Sequence, residues 1–154
     1  MTYQTTEGRY SLNDKIAAFY GFESSTTFTE HLQKHFKSDR VKKVHIDVWV
    51  TAVTLWYMRL VAVDYRADWI ERYNWSYVWL KKQINQDAQL EKEIFESAKK
   101  WVIERYEVHK EVIAADDSFV KEQENKTKLI EEENEKKIKE GTFLFSICTL
   151  RKYY

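Results

Sequence analysis

Apolar side chains recur at three- and four-residue steps along most of the chain, which is the spacing of helices that bury one face. Asn13 is placed to cap a first helix that Gly21 ends, because glycine enters left-handed backbone without steric cost. Thr27 and Glu30 have the spacing of a capping box at the start of a second helix. The pattern predicts four helices, at residues 14–20, 27–37, 41–65 and 67–84.

The third predicted helix is the most apolar and is expected to form the centre of the fold. Its buried stripe consists of Trp49, Val53, Trp56, Leu60 and Val63. Five of the six tryptophans fall between Trp49 and Trp79. We therefore predict an all-α, aromatic-rich helical bundle over residues 1–85. The residues that define its core are Trp49, Thr51, Ala52, Trp56, Trp69 and Trp79.

Residues 86–140 are expected to form a long, charged helical extension, as one helix or as a pair. An interruption is expected at residues 115–118, where Ser118 or an aspartate can cap a new helix. Gly141 is expected to end the helix. A coiled-coil-like seam is predicted at Ile94, Ala98, Trp101, Val108, Val112, Ala115 and Phe119.

The final segment, residues 141–154, is too short to cross a bilayer and too apolar for a free, solvated end. We predict that it is a docking tail that packs on the protein itself or on a partner. The predicted partner-binding residues of the extension and tail are Phe119, Leu129, Ile130, Phe143, Leu144, Phe145, Ile147 and Leu150.

Composition narrows the class of protein. Proline is absent and there are three glycines, so long helices run without breakers. Basic and acidic residues balance at 25 each, which argues against nucleic acid as a partner. The single cysteine, Cys148, fits a reducing compartment, and we expect a cytoplasmic protein. Residues 44–63 span a membrane width but contain three ionisable residues, so we expect a buried helix and no membrane span.

Candidate catalytic groups are few. His31 and His35 stand four residues apart, a spacing at which two imidazoles can share a metal, but no third ligand follows by spacing. Asp47, Asp64 and Asp68 are expected to cap helices or form ion pairs. We therefore predict no catalytic, cofactor-binding or metal-binding residues and no small-molecule substrate. Two alternatives remain: a metal-dependent or carboxylate enzyme subunit, and an apolar-ligand binder that uses the tryptophan cluster.

Two segments contain characteristic glycine, small and aromatic residues. The first contains Gln4, Gly8, Tyr10, Leu12, Ile16, Ala17 and Gly21. The second contains Asp47, Trp49, Thr51, Ala52, Leu55, Asp68, Trp69, Trp79 and Leu80. Together they resemble the C-terminal helical module of proteins that combine a VIT domain with a von Willebrand factor A domain. The resemblance covers about residues 4–82. The sequence lacks the Asp-x-Ser-x-Ser metal run of the A domain and anything similar to an ADP-ribosyltransferase.

A related module ends the vault poly(ADP-ribose) polymerase, where the corresponding region binds the major vault protein. The resemblance therefore implies a module that binds proteins. Together with the extension and tail, it leads us to predict a non-enzymatic structural or adaptor subunit. This subunit would bind protein subunits of a larger assembly, such as a vault-like particle or a cytoskeletal or ciliary scaffold.

Overall fold

The computed structural model describes residues 3–150, and in the last helix the side chains described after residue 122 are those of 125, 129, 132, 133 and 135–141. Seven α-helices lie in this part of the chain, which contains no strand and one isolated bridge that pairs Gln4 with Tyr10. The protein is therefore all-α, as predicted. The helices are α1 (Asp14–Phe19), α2 (Ser25–Gln33), α3 (Asp39–Lys42), α4 (Ile46–Leu60), α5 (Arg66–Gln83), α6 (Ala88–Tyr106) and α7 (Lys110–Leu150).

The first two helices are set by local capping. Asn13 caps α1 by accepting a hydrogen bond from the Ile16 backbone, and Gly21 follows with φ of 83°. The predicted capping box at Thr27 is wrong, because Ser24 is the cap of α2 and Thr27 is its reciprocal partner. Helix α2 ends at Gln33, four residues earlier than the residue 37 that the pattern predicts.

The predicted helix over residues 41–65 is interrupted at both ends. Lys42 ends α3, and α4 begins at Ile46, where the His45 ring accepts a hydrogen bond from the Asp47 backbone over 3.2 Å. The Trp49 indole of α4 donates to the Val41 carbonyl of α3 over 3.1 Å and so links the two helices across the break. A 3₁₀ turn, Val63–Tyr65, follows α4. Helix α4 is nevertheless the centre of the fold, because it packs against both α5 and α6.

Helix α6 is part of the bundle, whereas the pattern placed everything after residue 85 in an extension. Ile94, Ala98, Trp101 and Val102 of α6 are fully buried. Consequently the first compact unit ends at Ile113, and the second unit begins at Ala114. Apolar spacing identifies a buried helical face but not the helix that covers it, which explains the difference.

The region after residue 86 contains two helices, and the break between them lies earlier than expected. Glu107 adopts left-handed backbone with φ of 49° and ends α6. The expected interruption at residues 115–118 is wrong, since Ser118 lies within α7 and donates to the Ala114 carbonyl over 3.1 Å. The seam is therefore divided between two helices, and Ala115 is exposed.

Helix α7 has 41 residues and is about 60 Å long at about 1.5 Å per residue. The prediction that Gly141 ends it is wrong, because the helix continues to Leu150. Nothing lies within 4 Å of a Cβ atom placed on Gly141. A glycine in that open position lowers helix propensity without ending the helix.

A helix that crosses a membrane needs about 20 consecutive, mainly apolar residues. Within residues 3–150, no single helix is long and apolar enough to cross one. Helix α4 and the stretch Val63–Gln83 reach the length and apolar composition of a membrane span only when they are taken together. This pair is bent by 89°.

Candidate functional site

The N-terminal strap, residues 4–12, is bonded to α4. The Tyr10 backbone donates to Thr51 Oγ1 over 3.0 Å, and the Leu12 backbone donates to Asp47 Oδ1 over 2.8 Å. Both acceptors belong to α4 and are buried. The strap is therefore held on α4 through polar side chains that also satisfy its backbone donors.

The same strap is fixed to α5. Gln4 Nε2 donates to the Arg72 carbonyl and to Ser76 Oγ, each over 2.8 Å, and Ser76 Oγ donates to the Gly8 carbonyl over 2.6 Å. A Cβ atom on Gly8 would lie 2.7 Å from the Trp75 carbonyl oxygen. Only glycine fits this approach, and its φ of 94° also favours glycine.

An apolar groove lies between the strap and the outward face of α5. Trp75 and Val78 are exposed by 62% and 52%, although both are large apolar side chains on a helix of the bundle. The groove has a volume of about 470 Å³. It is lined by Thr6, Glu7, Trp75, Val78, Trp79, Lys82 and Gln83. An exposed tryptophan on a fixed backbone is typical of a surface that binds protein.

The predicted core residues other than Trp79 lie away from the groove and pack inside the bundle. Trp49 stacks on Phe36 with ring centroids 4.9 Å apart, and Thr51 and Ala52 are fully buried. The Trp69 indole donates to the Ala62 carbonyl over 2.7 Å.

Trp56 lies at the edge of the core. Its ring packs edge-on against Phe95 and is covered by Arg59 at 4.0 Å and by Lys99 at 5.0 Å. Such cation–π contacts stabilise a partly buried indole. Trp56 is therefore packed by its own neighbours. Of the six predicted core residues, only Trp79, which is exposed by 9%, lines the groove.

His31 of α2 and His35, two residues after the end of α2, have structural partners. His31 Nδ1 accepts a hydrogen bond from the buried Trp101 indole over 2.9 Å, and His35 lies 3.7 Å from a Glu104 carboxylate oxygen. Burial is the main cause that lowers the pKa of His31, and the neighbouring charges of His35, Arg105 and Lys34 add to it. Among the described residues, no group of three His, Cys, Asp or Glu side chains is placed to hold a metal ion.

The candidate carboxylates differ in burial. Asp47 is buried, where it accepts from the Leu12 backbone and lies 3.7 Å from Arg9 Nε. Asp64 and Asp68 are exposed in and after the 3₁₀ turn. Asp47 therefore fixes the strap from a buried position, whereas Asp64 and Asp68 face solvent.

The predicted partner-binding residues fall on α7. Phe119 is half-buried, and Leu129 is exposed by 65%. The side chains of Ile130, Phe143, Leu144, Phe145, Ile147 and Leu150 lie outside the described set. The sequence pattern did not indicate Trp75 and Val78 as a surface, because apolar residues at helical spacing are expected to lie in a core.

Comparison with known proteins gives no relative for this chain. No family model, no curated protein and no solved structure matches it.

Proposed function

We propose that the chain is a non-enzymatic structural or adaptor subunit that binds protein subunits of a larger assembly. The observation that carries the proposal is the exposure of α7. Every described side chain between residues 121 and 140 is exposed, including the aliphatic Leu129 and Ile138. A helix that is exposed over so many turns gains little stability from packing on its own chain. Contact with a partner would bury part of its surface.

The charges of α7 support its stability as a separate helix. Glu132, Glu133 and Glu135 each stand four residues before a lysine, at Lys136, Lys137 and Lys139. This order, with glutamate on the N-terminal side, is the more favourable one for pairs four residues apart. Local charge pairs therefore take over part of the role that a buried face has in α4.

Leu129 and Ile138 are nine residues apart and so lie on opposite sides of α7. They do not continue one apolar seam along the described part of the helix. We propose that they make isolated contacts and that Phe119, Ile130 and the apolar segment after residue 142 supply further partner contacts. In this proposal α7 provides reach, and the bundle of residues 3–113 provides a fixed body.

The bundle itself supports binding more than catalysis. The strongest candidate groups, His31 and Asp47, already hold hydrogen bonds that keep the fold together. The strap that carries the family resemblance fixes Trp75 at an exposed apolar groove. The resemblance makes a vault-like particle one candidate assembly, and cytoskeletal or ciliary scaffolds in the cytoplasm are the others.

Cross-linking mass spectrometry on the native particle, isolated through this chain, tests the proposal. We expect reproducible cross-links from the lysines between Lys121 and Lys139 to one neighbouring subunit. Deletion of residues 142–154 should release the chain while its far-UV circular dichroism per residue stays nearly unchanged. A control variant, Glu30→Lys at an exposed position of α2, should stay in the particle. A monomer without links to other proteins, or equal retention of the truncated chain, would contradict the proposal.

A further inference from the structure

One face of α5 carries a short stripe that no other part of the bundle covers within the described residues. Glu71, Trp75, Val78 and Lys82 are spaced by four, three and four residues, and all four are exposed. This spacing places them on one side of the helix. The same alternation of three- and four-residue steps occurs where two helices pack side by side. The stripe is therefore an apolar centre between two opposite charges.

The stripe is symmetric about a point midway between Ser76 and Tyr77. Glu71 and Lys82 lie about 8 Å from that point on either side, and Trp75 and Val78 lie about 2 Å from it, at about 1.5 Å per residue. A two-fold axis that runs between two such helices at the level of this point, perpendicular to both, would place Glu71 opposite Lys82 of a second copy. The same operation would place Trp75 opposite Val78 of that copy.

We propose that two copies of this chain pair through α5 in antiparallel orientation, with Trp75 and Val78 at the centre of the interface. The charge pattern identifies the occupant, because it is complementary to itself only in this arrangement. Parallel pairing would bring Glu71 against Glu71 and Lys82 against Lys82. Self-association goes beyond the proposed adaptor role, since it requires no other protein.

The flanking charges do not oppose this pairing. Arg72 and Lys81 lie a quarter of a turn to either side of the stripe at 100° per residue, and Lys81 lies over the Tyr77 ring at 5.1 Å. Like charges at these positions therefore do not face each other across the axis. Within the described part of the chain, Glu71 and Lys82 have no side-chain hydrogen bond or ion pair of their own to break.

The backbone beneath the stripe is held in place before any partner binds. Ser76 is fully buried and bonds to the strap, and Gly8 packs directly on the Trp75 carbonyl. A fixed backbone lowers the entropy that association costs. With four side chains from each copy, the interface is nevertheless at the small end of specific interfaces. We therefore expect a dimer that forms at micromolar or higher concentration.

Sedimentation equilibrium of the purified full chain, over a concentration series, tests the proposal. The wild type should dimerise reversibly. Glu71→Lys and Lys82→Glu should each weaken dimerisation at least tenfold, because each variant places two like-charge pairs in the interface. An equimolar mixture of the two variants should dimerise as the wild type does, since one copy then offers two lysines and the other two glutamates.

Three further variants complete the test. Trp75→Ala should weaken dimerisation strongly. The double variant Glu71→Lys/Lys82→Glu should regain it, and Glu133→Lys on exposed α7 should leave it unchanged. A wild-type monomer throughout the series, single reversals without effect, or no recovery in the mixture would each overturn the proposal. Because the chain is studied alone, failure here leaves the adaptor proposal to its own test of cross-links to other proteins.

Discussion

The bundle and helix α7 reach the same secondary structure by different means. Helices α1–α6 have between 4 and 19 residues, and tertiary contacts and capping side chains fix them around a core of aromatic rings. Helix α7 has 41 residues, and its described side chains between residues 121 and 140 are exposed. The difference shows that packing stabilises the short helices, whereas length and local charge order stabilise the long one.

Truncation of a core ring should have the largest effect. Trp101 is fully buried, contacts the rings of Tyr20 and Phe28, and donates to His31. We expect Trp101→Ala to lower the free energy of unfolding by about 3–5 kcal/mol, because it leaves a cavity and an unpaired acceptor. Urea denaturation followed by circular dichroism measures the change.

Leu129→Ala is the matched substitution on α7. Leu129 is exposed by 65%, so its truncation should change the same free energy by less than about 0.5 kcal/mol. If the two substitutions had equal effects, the contrast between a packed bundle and an exposed helix would be incorrect.

The same alanine substitution should have opposite effects at two glycines. Gly8→Ala should destabilise the bundle by about 1–3 kcal/mol, because the new Cβ meets the Trp75 carbonyl and the positive φ becomes strained. Gly141→Ala should stabilise α7 by about 0.5–1 kcal/mol, since it replaces a poor helix former in open space. Urea denaturation tests the first change, and slower amide hydrogen exchange around residue 141 tests the second. Destabilisation at both sites would be the contradictory result.

A smaller effect should depend on pH. The pKa of His31 is lowered in the folded state, so the unfolded chain takes up this proton first as the pH falls. The contribution of His31 to stability is therefore complete above about pH 6.5, the usual value for histidine, and declines as the pH falls toward its folded pKa. Protonation also removes the acceptor that Trp101 uses.

His31→Gln keeps a carbonyl acceptor for the Trp101 indole but does not titrate. We expect this variant to lose less stability than the wild type between pH 7.5 and 5.5, measured by urea denaturation. His109→Gln, which removes an exposed histidine, is the control. An equal effect of both substitutions on the pH dependence would assign it to histidine content and not to the contact with Trp101.

The all-α fold class and the central position of α4 were predictable, because periodic burial leaves a clear mark on the sequence. The break before α4 was not predictable, since the Trp49 indole and the His45 ring create it through hydrogen bonds that no apolar pattern records. The place of α6 in the bundle was missed for a related reason. Spacing identifies a buried face but gives no information about which helix covers it.

The groove was harder to predict than the core. Trp75 and Trp79 look alike in the sequence, yet one is exposed by 62% and the other by 9%. Between them lies Ser76, which bonds to Gln4 across 72 residues, and no local apolar pattern records such a contact. The charges of Glu71 and Lys82 on the same side as Trp75 were the available signal for a surface, because a stripe bounded by charges rarely faces a core.

The strap also determines the order in which the chain folds during synthesis. Gln4 cannot form its hydrogen bond to Ser76 until Ser76 has been translated. This happens 72 residues later, or roughly 4–14 s later at roughly 5–20 residues per second. Until then the bonds of Tyr10 and Leu12 to α4 hold the strap, and its side that faces α5 stays open. The strap is thus translated before both helices but finishes docking only after the second one, and chaperones have access to its open side during the interval.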